Sequence, residues 1–172
     1  MAIIPPAILN EMTDRDPVLV TYAVIHHTAC NLQNQDITDI ALEEERSQGF
    51  VWAGYHFVIH GNGEIQVGRP ITKKPAANLG LNEQSVAICL EGNFHPPDPH
   101  YAGELPSAAQ LASAAHIIDD WVKPKCKNLR YLIGHRDVAR IVATPNDATA
   151  CPGDLLYQKL AALRLTTKLK AA

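Results

Sequence analysis

Three residues of this chain could share one task. His26 is next to last in the run VTYAVIHH, His135 is second in GHRDV, and Cys151 stands in TACPGD. Two imidazoles and a thiolate are donor types that zinc accepts, and three protein ligands leave the fourth tetrahedral position to water, as in catalytic sites. Structural zinc is usually closed by four ligands in compact pairs, and the sequence holds no Cys-x-x-Cys pair. Cys151 is expected at the start of a helix, where the partial positive charge favours a thiolate. Spacing alone leaves two other readings open. One is a Cys151/His135 thiol-hydrolase pair, for which no separate Asn or Asp orienter stands out; the other is three side chains packed independently. HRD also occurs in kinase catalytic loops, but the position such a loop needs as Asn is Val142, and a Gly-rich phosphate loop is missing.

The elements that must position these residues are readable from periodicity. VTYAVIHHT is β-branched and apolar up to its polar end, so it predicts a buried strand carrying His26 and His27 at its C-terminal end, on opposite faces. QDITDIALEEERSQG has apolar residues at helical spacing and Gly49 as a stop. GYHFVIHGNGEIQVG predicts a hairpin, Tyr55 to His60 and Glu64 to Gly68 around Gly-Asn-Gly. Val86 to Leu90 predicts a fully buried central strand. Ser107 to Val122 predicts an Ala-rich amphipathic helix capped by Ser107. LRYLIGH predicts a strand ending at His135, and CPGDLLYQKLAALRLTTKLK a last helix with Pro152 in its first turn. Strands interleaved with helices predict an α/β single domain, a mixed central sheet flanked by helices, with sites at the carboxyl ends of strands where His26 and His135 fall.

Composition narrows the function. At 172 residues and 47% hydrophobic, the chain can bury one core without staples. The net charge of -3 is spread out, with no basic run, which argues against nucleic acid as a partner. No stretch reaches the length of a membrane span, and the N-terminus has acid and proline where a signal peptide needs a basic start and an apolar run. Synthesis in the cytoplasm is expected. Cys30, Cys89 and Cys126 read as scattered thiols rather than a disulfide framework, and HPPDPHYAGELP as a surface loop.

The motifs VIHHTA, GYHFVIHGNGEIQVGRP, NEQSVAICLEGNF, GHRDV and TACPGDLL, in that order from about Val20 to Leu156, resemble those of the zinc-dependent N-acetylmuramoyl-L-alanine amidases. That group includes phage endolysins and peptidoglycan recognition proteins. The resemblance implies one amidase domain over residues 1–172, with the motif-bearing core at about 20–165. It implies Zn2+ as cofactor, held by His26, His135 and Cys151. Tyr55 and Thr149 would be catalytic, acting on the oxyanion of amide hydrolysis, and His27, His56, Asn78 and Asn82 would contact substrate. It also implies bacterial peptidoglycan as the partner, with neither nucleic acid nor membrane, for a monomer that acts on the cell wall. Read without the resemblance, Tyr55 is a half-buried strand aromatic, Thr149 a loop hydroxyl, His27 and His56 packing histidines, and Asp137 a turn residue or a support for a ligand.

Two departures bear on the branch. Phage members often carry His before the N-x-x-S motif, where KPAANLGLN has Ala77 or Asn78. The cytosolic recycling branch has Glu where this chain has Cys89, and usually Asp as the third ligand. Some relatives bind peptidoglycan without cutting it and typically lack the cysteine, so a non-catalytic binding module is the alternative.

Overall fold

A computed structural model describes residues 4–30, 37–143 and 148–172. Among the described residues, five strands form one mixed sheet: β1 Tyr22–His27, β2 Phe57–Ile59, β3 Ile65–Val67, β4 Ser85–Leu90 and β5 Tyr131–Gly134. Their order is β3-β2-β4-β1-β5. β1 runs parallel to β4 and β5, β2 runs parallel to β4, and only the hairpin pair β2/β3 is antiparallel. All six residues of β4 are buried, as its unbroken apolar run predicts for a strand covered on both faces.

The helices are α1 Pro6–Glu11, α2 Ile37–Gln48, α3 Ala108–His116, α4 Val138–Val142, α5 Asp154–Tyr157 and α6 Leu160–Thr167. Strand alternation sorts the core into two layers. Ala23, Ile25, Phe57, Ile88 and Leu132 pack on one side with Ala114 of α3 and Leu160 and Leu163 of α6. On the other side Val58 and Cys89 meet Ile37, Ile40 and Ala41 of α2, while Val24 and Ile133 meet Val138 of α4. His26 shares the parity of Val24, so it emerges on the α2/α4 side. His27 shares the parity of Ile25 and lies on the other.

The expected α2 ends where the sequence predicts, with Gly49 at φ +69, a conformation that favours glycine; its expected start at Gln35 and Asp36 lies outside the described residues. The Ser107 helix has the expected cap, strengthened by a capping box with Gln110. Its second half differs. Ile117–Val122 is π-helical, closed by Lys123 N–H donating to the Ile118 carbonyl. With bonds spanning five residues, Ile117 and Val122 fall on one face, and both are fully buried with Ile118.

The C-terminal helix departs more. Pro152 lies in a turn before it, not in its first turn. Gly153 takes φ +80 against the Phe94 carbonyl, and the helical stretch is divided into α5 and α6. A Cβ on Gly153 would stand 2.3 Å from that carbonyl oxygen, so the turn that carries Cys151 depends on a residue without one.

Candidate metal centre and groove

His26 lies at the C-terminal end of β1, and His135 follows β5 directly as the first residue of a 3-10 turn. Because β1 and β5 are adjacent and parallel, their carboxyl ends bring the two rings to a centroid distance of 4.5 Å. Cys151 arrives from the far end of the loop and places its Sγ 3.8 Å from His26 Nδ1. One donor atom each from His26, His135 and Cys151 lies within 4.8 Å of the others. A tetrahedral zinc with bonds of about 2.1 Å to nitrogen and 2.3 Å to sulfur separates such atoms by roughly 3.6 Å, so the donor set fits that ion in type and spacing.

The loop ends are pinned together. Arg136 N–H donates to the Cys151 carbonyl at 2.8 Å. The Arg136 side chain pairs with Asp154 at 2.5 Å, donates to the Ala150 carbonyl, and lies over the Tyr157 ring. Asp137 accepts from Gly134 N–H at 3.0 Å and from the Tyr157 hydroxyl at 2.8 Å. Its role among these contacts is to brace the backbone on both sides of His135. Thr149 Oγ1 accepts from Cys151 N–H at 3.1 Å, the local turn bond open to a loop hydroxyl.

Electrostatics in this cluster oppose positive charge and thiolate alike. His26 is held well below its ordinary pKa, first by burial and then by His135, with the Asn78 bond pulling the other way. Burial also pushes the Cys151 thiol up to about 12, outweighing the His27 backbone N–H and Arg136. The expected helix-start effect on Cys151 is therefore corrected: the four-residue α5 begins at Asp154, beyond the cysteine, and desolvation dominates. A dication would reverse that balance, since metal binding displaces the thiol proton and uses neutral imidazoles.

Tyr55 stands beside the cluster, its ring 5.2 Å from that of His26. The turn before it is clamped from two sides. Arg69 donates to the carbonyls of Ala53 at 2.8 Å, Lys74 at 3.0 Å and Trp52 at 3.1 Å. Glu44 of α2 accepts from Gly54 N–H at 2.6 Å. Burial, followed by Cys89, Glu44 and Cys151, keeps the Tyr55 phenol well above its ordinary pKa. Glu44 itself is raised to about 7 by burial, with Gly54 N–H and Arg69 opposing.

His26, His135, Tyr55, Glu44, Asn78 and Asn82 line a groove of about 680 Å³. The four residues expected to contact substrate fare differently. His27 is 5% exposed, packs on Phe94 and His95 across the sheet, and accepts from Phe94 N–H. His56 is fully buried at the start of β2, with Arg15 at 2.9 Å. Neither is among the residues that line the groove, for strand parity turns His27 away and position along the sheet removes His56. Asn78 and Asn82 do line it, but their side chains are engaged internally: Asn78 with His26 and Ser85, Asn82 with the backbone N–H groups of Ala77 and Asn78. Glu44 and Arg136 are not among the residues that the sequence singles out. Glu44 sits in an acidic helical run, and its burial, its contact with Gly54 and its place along the groove distinguish it.

The profile of the N-acetylmuramoyl-L-alanine amidase family matches residues 14–154. Among curated proteins, peptidoglycan-recognition protein SD of Drosophila simulans is 30% identical over 142 residues, 78% of this chain and 68% of its own. Peptidoglycan-recognition protein SC2 of Drosophila melanogaster is 28% identical over 148 residues, 82% of this chain and 72% of its own. Among solved structures, the endolysin amidase LysCS from Clostridium intestinale superposes with a TM-score of 0.72 at 25% identity, covering 91% of this chain and 89% of its own.

Proposed function

Because this chain belongs to the N-acetylmuramoyl-L-alanine amidase family, we propose that it hydrolyses the amide between the lactyl group of N-acetylmuramic acid and the first L-alanine of the peptidoglycan stem. One observation carries the reading: two imidazoles and a thiol, with donor atoms within 4.8 Å, beside a phenol at a groove. His26, His135 and Cys151 would hold zinc, and the bound ion supplies a Lewis acid and lowers the pKa of water toward about 7.

The remaining roles belong to side chains. Hydrolysis joins a water oxygen to the lactyl carbonyl carbon, breaks the amide C–N bond and delivers a proton to the departing L-alanine nitrogen. Tyr55 keeps its proton at neutral pH, so its hydroxyl can donate to the carbonyl oxygen as negative charge develops there. Thr149 orients Cys151 through the backbone N–H of the cysteine, and its hydroxyl would hydrogen-bond the same oxyanion. Arg136 and Asp137 hold His135 and Cys151 in register. The chain would act on the cell wall, a reading supported by the endolysin amidase among its structural neighbours.

The test is digestion of purified cell walls with the zinc-loaded protein. The expected products carry new amino groups on L-alanine and no new reducing sugar ends. Retention on walls with no release would make the chain a recognition module, and new reducing ends would make it a glycosidase.

A further inference from the structure

His26 has two ring nitrogens, and the structure gives them different neighbours. Nδ1 faces Cys151 Sγ at 3.8 Å; Nε2 lies 2.9 Å from Asn78 Oδ1. Asn78 is fully buried, and its amide nitrogen donates to Ser85 Oγ at 3.0 Å, which leaves the oxygen turned toward the ring. An amide oxygen can only accept. A neutral imidazole opposite it must therefore carry its proton on Nε2 and present the lone pair at Nδ1. We infer that Asn78 is a positioning residue that selects this tautomer of His26 and so readies Nδ1 for the metal.

The support behind Asn78 makes the arrangement specific. Asn82 Oδ1 accepts from the backbone N–H of Asn78 at 2.8 Å and of Ala77 at 3.3 Å, and Leu81 N–H donates to the Asn78 carbonyl at 2.8 Å. Arg15, itself buried, donates to the carbonyls of Asn82 at 3.2 Å and of Ser85. The amide is thus held from its backbone, from Ser85 and from the ring, in a place where an unsatisfied amide would be costly. Partners of this kind on a ligating histidine fix ring orientation, and their loss typically costs 10–100-fold in metal affinity. The residue expected to touch substrate acts instead through His26.

The inference rests on His26 being a metal ligand, and the experiment separates the two. Nitrogen-15 NMR of metal-free wild-type protein should show His26 with Nε2 protonated and Nδ1 unprotonated. Competition with a chromophoric chelator, using Zn2+ alone as probe, should give Asn78→Ala a dissociation constant about 10–100-fold above wild type. Asn78→Asp, which keeps an acceptor, should restore both the tautomer and tight binding. A wild-type His26 protonated at Nδ1, or an Asn78→Ala protein with unchanged tautomer and zinc affinity, overturns the inference. If wild type binds no zinc, the metal reading of the site falls, while the NMR spectrum alone still decides whether Asn78 sets the tautomer. If Asn78→Ala does not fold, the wild-type spectrum and the Asn78→Asp variant decide it.

Discussion

The Sγ of Cys151 lies 3.8 Å from Nδ1 of His26 across a separation of 125 positions in the chain. No local element joins them. The contact exists because β1 delivers His26 to one rim of the sheet and the turn before α5 folds Cys151 back over it. Anything that displaces that turn or unseats that strand end should be felt first in metal binding.

Cys151→Ser should therefore lose most zinc affinity while the chain stays folded, because serine keeps its proton at neutral pH and ligates weakly. Metal analysis of purified protein should fall from about one zinc per chain for wild type to near none, together with wall hydrolysis. A Cys151→Ser protein that retains zinc and activity would remove Cys151 from the ligand set.

Tyr55→Phe should keep zinc and lower turnover by about 10²–10³, the scale for losing one donor to a developing oxyanion. Zinc content and kcat measured on the same preparation check this. Unchanged kcat would return Tyr55 to a packing role.

Gly54→Ala should disturb Tyr55 without touching a ligand. A Cβ there would meet the Ala76 carbonyl oxygen at 2.6 Å, and Gly54 N–H is the group bound by Glu44. Strain of this kind costs about 1–3 kcal/mol. Chemical denaturation should report that loss and kinetics a lower kcat, with zinc affinity near wild type; equal stability and kcat would show that the turn yields freely.

Metal-free protein should lose stability in acid. Burial lowers His26 and His56 well below 6.5, and lowers His27 to about 4, with His95 and Arg136 adding to the effect on His27. Since the unfolded histidines take protons first, this contribution is complete above about pH 6.5 and is lost as pH falls, for His27 levelling off below about 4. For His27 the full effect is on the order of 3 kcal/mol. Denaturant midpoints from pH 7.5 down to 4.5 should decline steadily, and His27→Gln should flatten part of that slope. A flat profile would mean that these rings take up protons in the native state as readily as in the unfolded one.

Much of this protein is readable along the chain, where the physics is local. The apolar run of β4 and the Ser107 cap with Gln110 need only their own neighbours to be understood. The β2/β3 hairpin likewise follows from Gly-Asn-Gly between two strand-like runs. The ligand types are legible for a similar reason: histidine at a strand end and cysteine in a polar loop stand out against their local pattern. What only the tertiary structure decided depends on which distant groups meet. Helical periodicity could not foresee that Gly153 would pack on Phe94 and delay the helix start to Asp154, nor that burial would outweigh any helix-terminus effect at Cys151. It could not separate Asn78 from Ala77, or give Glu44 a partner in Gly54. Hydrogen bonds between residues far apart in sequence leave no period to read, since their energy depends on distances that exist only after the sheet and its covering segments have packed together.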